Sequence, residues 1–241
     1  MNITVEIISI IFLSIFQSIF GIGLLLFGTP FFLYLEYEFI NTLSLLLPTS
    51  IAISTIQFLS CKKIDFDFVR KTNIFCIPVL IFFLVLTIFF QELIDFKFWV
   101  ALLLVLSSII TIFKNHFLIV FDKIFKLKIF VLIFIGIIHG ITNMGGSFLS
   151  IFSSAINKDN KMLTRQYISY GYLSMGVIQY LTIISLNFSL INFNYILYSL
   201  IGIFAYYPSQ KIFNFIVYDV YVKIIGSIAL LFGVFLLISL Y

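Results

Sequence analysis

Charged side chains are scarce in this chain. Of its 241 residues, 10% are Asp, Glu, Lys or Arg, whereas 62% are hydrophobic. Soluble globular proteins have about 25% charged residues because their surfaces face water. The composition therefore excludes a water-soluble domain and predicts an integral membrane protein.

Cysteines are equally few, and the only two are Cys61 and Cys76. They have no C-x-x-C spacing and no histidine nearby, so neither a disulfide nor a metal site is indicated. Both are interpreted as packing residues. We predict no metal and no cofactor.

Acidic residues are absent from the middle of the apolar segments. Aspartyl intramembrane proteases and many cation transporters depend on a buried carboxylate, so both classes lose support. A serine intramembrane protease is also disfavoured, because no G-x-S-G element occurs and His139 is the only histidine inside an apolar segment. We therefore do not expect an enzyme.

Long apolar segments dominate the sequence, and about 20 apolar residues suffice for a helix to cross a bilayer. They predict an all-α membrane protein. Eight blocks are separated by short polar stretches, at about 3–35, 39–60, 72–91, 96–113, 129–156, 167–190, 194–213 and 219–240.

The first and fifth blocks exceed one crossing, and glycines interrupt both near the middle. If all eight blocks crossed, the positive charges would divide almost evenly between the two sides. If these two blocks are re-entrant hairpins, every Lys and Arg except Lys97 falls on one side. Because cytoplasmic loops are enriched in Lys and Arg, we predict six full crossings with both termini extracytoplasmic, in a cell inner membrane.

An internal duplication is indicated by Ile56–Leu59, which recurs as Ile178–Leu181 at an offset of 122 residues. At the same offset Gly23 aligns with Gly145 and Gln17 with His139. We predict two membrane repeats, 1–113 and 129–241, joined by a basic amphipathic linker at 114–128. Three crossings in each repeat would invert the second repeat relative to the first.

The two hairpin breaks are the predicted substrate site. An interrupted helix exposes backbone N–H groups that favour an anion, and glycines allow close approach to the backbone. Glycines that merely allow close helix packing are the alternative interpretation. The predicted residues at the breaks are Gly21, Gly23, Thr29, Thr142, Asn143, Gly145, Gly146 and Ser147.

Three further polar residues are candidates inside apolar blocks. Gln57 and Gln179 occupy matching positions, where their amides either bind substrate or hydrogen-bond a neighbouring helix. His139 either binds an anion or relays a proton, or else is a neutral histidine bonded to the backbone. Arg165 is interpreted as a topology anchor at the inner surface rather than as a ligand.

The glycine-rich turn Gly21–Gly23 followed by Thr29-Pro30, together with Gly136 to Ser147 in the second half, resembles the sulfite exporter TauE/SafE family. The resemblance covers nearly the whole chain. It implies transport of small sulfur-containing anions such as sulfite, thiosulfate or organosulfonates, coupled to an ion gradient.

The predicted function is thus a secondary transporter of small anions across the cytoplasmic membrane. A non-transporting membrane scaffold or assembly factor is the alternative. The predicted partners are a small anion, the lipid bilayer and a coupling proton or sodium ion. No nucleic acid is expected, and a homo-oligomer is left open.

Overall fold

Two of the helices begin at polar side chains that lie before the apolar blocks. The Asp65 carboxylate accepts the N–H groups of Asp67 and Phe68, and the Asn160 side chain accepts that of Leu163. The helices therefore start several residues before the predicted positions 72 and 167, because capping rather than hydropathy sets a helix N-terminus.

The computed structural model describes residues 3–61, 64–113, 127–157, 160–215 and 218–240, and they are helical with short connections. The predicted linker lies almost entirely outside these residues. The helices are α1 Ile3–Phe20, α2 Leu24–Tyr34, α3 Phe39–Leu59, α4 Phe66–Phe89 with a π-helical turn at Thr72–Cys76, α5 Phe96–Ile112, α6 Lys128–Thr142, α7 Gly145–Ile156, α8 Lys161–Leu186, α9 Asn194–Phe215 and α10 Tyr218–Ile238.

Both long blocks are helical hairpins. Helix α2 folds back along α1, where the rings of Phe16 and Phe27 lie 5.8 Å apart. Helix α7 folds back along α6 in the same way, with 5.5 Å between the rings of Phe134 and Phe148. The chain reverses at both predicted glycine-containing breaks.

The helices of the two halves pack on one another reciprocally. Helix α1 packs on α9, and its counterpart α6 packs on α4, the counterpart of α9. Helices α3 and α8 form one extensive contact between the halves, and α5 and α10 form another. The first helix of each hairpin thus packs against a helix of the opposite half.

Three of the described helices are long and apolar enough to cross a membrane: Ile3–Phe20, Phe39–Leu59 and Phe66–Phe89. Other apolar helices are shorter, including Phe96–Ile112 and Lys128–Thr142. Large apolar side chains such as Phe204 are exposed on the outer surface. These features are compatible with insertion into a membrane.

Candidate functional site

The first hairpin break is a turn that requires glycine. Gly21 has φ +76°, in the left-handed region that favours glycine, and its N–H donates to the carbonyl oxygen of Gln17 at 2.8 Å. A Cβ atom on Gly23 would lie 2.7 Å from the backbone nitrogen of Gln17. The start of α2 is therefore pressed directly against the end of α1.

The second break has the same form with a different turn residue. Asn143 adopts φ 64° and donates its N–H to the carbonyl oxygen of His139 at 3.0 Å. A Cβ atom on Gly145 would lie 2.6 Å from the carbonyl oxygen of Ile135. At Gly146 the space of a Cβ atom is taken by the hydroxyl group of Tyr172.

Buried amides donate to main-chain carbonyl groups in the last helical turn before each break. Gln57 Nε2 donates to the carbonyl oxygen of Gln17 at 2.8 Å and lies 3.3 Å from that of Ser18. Gln179 Nε2 donates to the carbonyl oxygen of His139 at 3.4 Å. Both glutamines act as interhelical ties, and their contact with substrate stays a prediction.

His139 is fully buried, and its Nε2 atom lies 2.9 Å from Gln179 Oε1. The hydrogen bond joins it to a side chain rather than to the backbone. Within the described residues its Nδ1 atom has no protein partner. The histidine and the glutamine thus form a reciprocal pair that holds the end of α6 against α8.

Gln17, the counterpart of His139, was matched in the duplication but not predicted as a site residue. Its Oε1 atom accepts the N–H of Leu24 at 3.3 Å, at the first turn of α2. Its Nε2 atom lies 3.0 Å from the hydroxyl groups of both Ser50 and Ser54 on α3. Gln17 therefore holds the start of α2 in place.

The two hairpins meet through Asn143 and Thr29. Asn143 Nδ2 donates to Thr29 Oγ1 at 2.9 Å, and both side chains are buried. Thr142 Oγ1 accepts the N–H of Met144 at 3.3 Å, within the turn itself. The structure thus brings Thr29, Thr142 and Asn143 together where α2 crosses the second break.

Arg165 lies at the first break rather than on an exposed surface. Its side chain is 7% exposed, and Nη2 donates to the carbonyl oxygen of Ser18 at 3.1 Å. The guanidinium carbon lies 4.1 Å from the ring centroid of Phe213. Sequence reasoning placed Arg165 before the sixth block, but α8 begins at Lys161 and so Arg165 lies a full turn inside it.

A small cavity lies between the hairpins and the last helix of each half. Its volume is about 10 Å³, enough for one water molecule. Sequence reasoning missed its hydroxyl groups except Ser147, because Ser and Thr inside helices are common and usually bond their own backbone. The cavity is lined by Ile22, Leu26, Ser107, Ser108, Thr111, Ser147, Ser150, Ile225, Gly226 and Ala229.

The hydroxyl groups of Ser107, Ser108, Thr111 and Ser147 donate to main-chain carbonyl oxygens three or four residues earlier in the chain. Ser108 donates to Leu104 at 2.6 Å, and Ser147 donates to Met144 at 2.7 Å. A hydroxyl group has one donor, so these oxygens present lone pairs to the cavity.

The described residues contain no group of three or more His, Cys, Asp or Glu side chains that can hold a metal ion. Comparisons with protein-family models, with curated proteins and with solved structures find no match. The resemblance to the sulfite exporter family therefore stays a prediction, and the site is interpreted from its own geometry.

Proposed function

We propose that this protein is a secondary transporter of small anions, built from two inverted repeats in the cell membrane. The observation that carries the proposal is the repeated construction of the two breaks. Each has a hairpin, a turn with a positive φ and a glutamine from the third helix bound to a carbonyl group before the turn. Broken helices in corresponding positions of two repeats are typical of transporter binding sites.

The reciprocal packing of the halves supports inversion of the repeats. A two-fold axis that exchanges the halves relates the α1–α9 contact to the α6–α4 contact, and it maps the α3–α8 and α5–α10 contacts onto themselves. If each hairpin re-enters and each repeat crosses three times, this axis lies in the membrane plane. Both termini are then extracytoplasmic, and most Lys and Arg residues face the cytoplasm.

The charge at the first break favours an anion. The N-terminus of α2 carries a partial positive charge, which stabilises negative ligands. Arg165 adds a full positive charge at the carbonyl group of Ser18, three residues before Gly21. A guanidinium group is suited to oxyanions because its donors form a planar fork. Small sulfur oxyanions and organosulfonates are the proposed substrates, in line with the family resemblance.

Alternating access follows from movement of one repeat against the other. The hairpins contact each other through few groups, among them Asn143 and Thr29, so this contact can break at low cost. The larger α3–α8 contact provides the surface on which the halves move. Substrate released from the breaks then leaves on the opposite side.

Counterflow in proteoliposomes tests the function. Vesicles containing the purified protein are loaded in turn with sulfite, thiosulfate, sulfate, taurine and sulfoacetate, and uptake of the labelled anion is measured. Saturable exchange of one anion is expected. Exchange of cations or neutral solutes alone would overturn the substrate class, and absence of any flux together with copurified partners would favour the scaffold.

A further inference from the structure

Glu6 is a buried carboxylate at the start of α1, although the charge pattern places it at the outer surface. Its side chain is 1% exposed. The hydroxyl group of Tyr37 donates to Oε1 at 3.1 Å, and that of Tyr198 donates to Oε2 at 2.6 Å. The carboxylate is thus held by two neutral donors from different parts of the chain.

Among the described residues no Lys or Arg forms an ion pair with this carboxylate. Helices α1, α2 and α3 contain no other charged residue, and the titratable groups around Glu6 are Tyr37, Tyr195 and Tyr198. Lys211 is the only charged residue of α9 and lies about 20 Å beyond Tyr198 along the helix, at about 1.5 Å per residue.

An open cavity reaches this group of side chains. It has a volume of about 380 Å³, and Tyr37 and Tyr195 form part of its wall together with Asn41 and Asn192. Tyr37 therefore lines the cavity and also donates a hydrogen bond to the Glu6 carboxylate.

We propose that Glu6 is the proton-binding carboxylate that couples this transporter to the proton gradient, a role that rests on the proposed transport function. In the ionised state Glu6 accepts hydrogen bonds from Tyr37 and Tyr198. When one proton arrives from the cavity, the new carboxyl O–H donates to a tyrosine oxygen, and that hydroxyl group turns away. One proton is gained and one O–H bond forms, while no other covalent bond changes.

The position of Tyr198 explains how this proton affects transport. Glu6 lies on the first hairpin, whereas Tyr198 lies on α9 in the second half, so their hydrogen bond joins the two halves. A hydrogen bond to an ionised group is about twice as strong as one between neutral groups. Protonation therefore weakens a bond that joins the two halves.

The experiment measures anion exchange and its coupling to the proton gradient separately. For the anion identified by counterflow, we expect the wild-type protein to accumulate it when a pH gradient is imposed. Glu6→Gln keeps the shape of the side chain and is permanently neutral. It should therefore retain the counterflow rate within about twofold and lose the accumulation that the pH gradient drives. Glu38→Gln, an exposed carboxylate in the adjacent turn, is the matched control and should behave as wild type.

Accumulation by Glu6→Gln equal to that of wild type would overturn the role of Glu6, while counterflow of wild type would still support the transport function. No counterflow of any anion by wild type would remove the transport function and the coupling role together. Counterflow by wild type with no response to a pH gradient would overturn the coupling alone.

Tyr198→Phe provides a second variant that keeps the packing of the ring. It removes the hydrogen bond that joins Glu6 to the second half. Gradient-driven uptake should therefore fall several-fold while counterflow is retained. Uptake and counterflow reduced to the same extent would contradict a coupling role for this bond, because a purely structural tyrosine affects both.

Discussion

The side-chain amide of Gln57 on α3 donates to the main-chain carbonyl oxygen of Gln17 at 2.8 Å, in the last turn of α1 before the break. Gln179 makes the corresponding bond to His139 in the second half. The two contacts span the same number of residues, so the same interaction between helices occurs at both breaks. The predicted duplication would place the two glutamines at corresponding positions.

Removal of either amide should destabilise its hairpin. Gln179→Leu keeps a similar volume but leaves the ring of His139 without its partner, and it removes one of the two donors to the His139 carbonyl oxygen. We expect the free energy of unfolding to fall by about 1–3 kcal/mol, as for a buried polar group left unsatisfied. Thermal unfolding in detergent measures this, with exposed Gln91→Leu as a control expected to change by less than about 0.5 kcal/mol.

The same variant shows whether Gln179 joins two helices or contacts substrate. If Gln179 only joins helices, Gln179→Leu lowers the melting temperature while the apparent KM of the surviving protein stays near that of wild type. A raised KM with unchanged stability would instead show that the amide contacts substrate. Gln57→Leu should give the matching result in the first half.

The backbone and side chains around Gly145 leave no room for a Cβ atom. A Cβ atom on Gly145 would lie 2.5 Å from His139 Cβ and 2.6 Å from the carbonyl oxygen of Ile135. Gly145→Ala should therefore reduce the yield of folded protein several-fold, measured by gel filtration in detergent. Gly176→Ala is the control, because its Cβ atom would meet only flexible side chains, nearest at 3.2 Å.

Asn143 and Thr29 should be energetically coupled. Asn143→Gly retains the left-handed backbone conformation but loses the hydrogen bond to Thr29, and Thr29→Val loses the same bond from the other side. A double-mutant cycle on transport rate and on stability should give a coupling energy of about 0.5–3 kcal/mol. Strictly additive effects would show that the hairpins do not depend on this contact.

Arg165 should determine affinity for the anion if the first break binds it. Arg165→Gln is expected to raise the KM for the transported anion by about tenfold or more, and Arg165→Lys by less because it keeps the charge but loses the planar fork. Arg70→Gln, an exposed arginine, is the control. Equal KM values for wild type and Arg165→Gln would contradict a role in binding.

The cap at the start of α4 should make stability depend on pH. Burial opposes ionisation of Asp65, but hydrogen bonds from the Tyr167 hydroxyl group and the Phe68 and Asp67 N–H groups outweigh it and lower its pKa below 3.8. A lowered folded-state pKa gives stability that is present above pH 3.8 and lost as the pH falls through the folded value.

Asp65→Asn removes this dependence, because its amide keeps an acceptor for the N–H groups but does not titrate. We expect the wild-type protein to lose stability below about pH 4, whereas the variant should lose less over the same range. Thermal unfolding from pH 6 to pH 3 in one detergent provides the measurement. Parallel curves for the two proteins would show that other groups control acid unfolding.

The sequence alone determined the helical class, the low charge that is compatible with a membrane, and the two places where the chain turns. These features are local, since apolar runs predict helices and glycine or Asn143 allows a reversal. It also identified Gln57 and Gln179 as matching positions. It could not show their partners, and it placed helix starts late at Asp65 and Asn160 because capping side chains are polar.

Only the tertiary structure decided which polar groups are buried together. Glu6 contacts Tyr198, 192 positions away in the chain, and Arg165 reaches Ser18 across 147 positions. Neither hydropathy nor helical periodicity contains information about such contacts, because they depend on which helices become neighbours. The hydroxyl-lined cavity is of the same kind, since its serines lie on different helices and become a site only when the two halves pack.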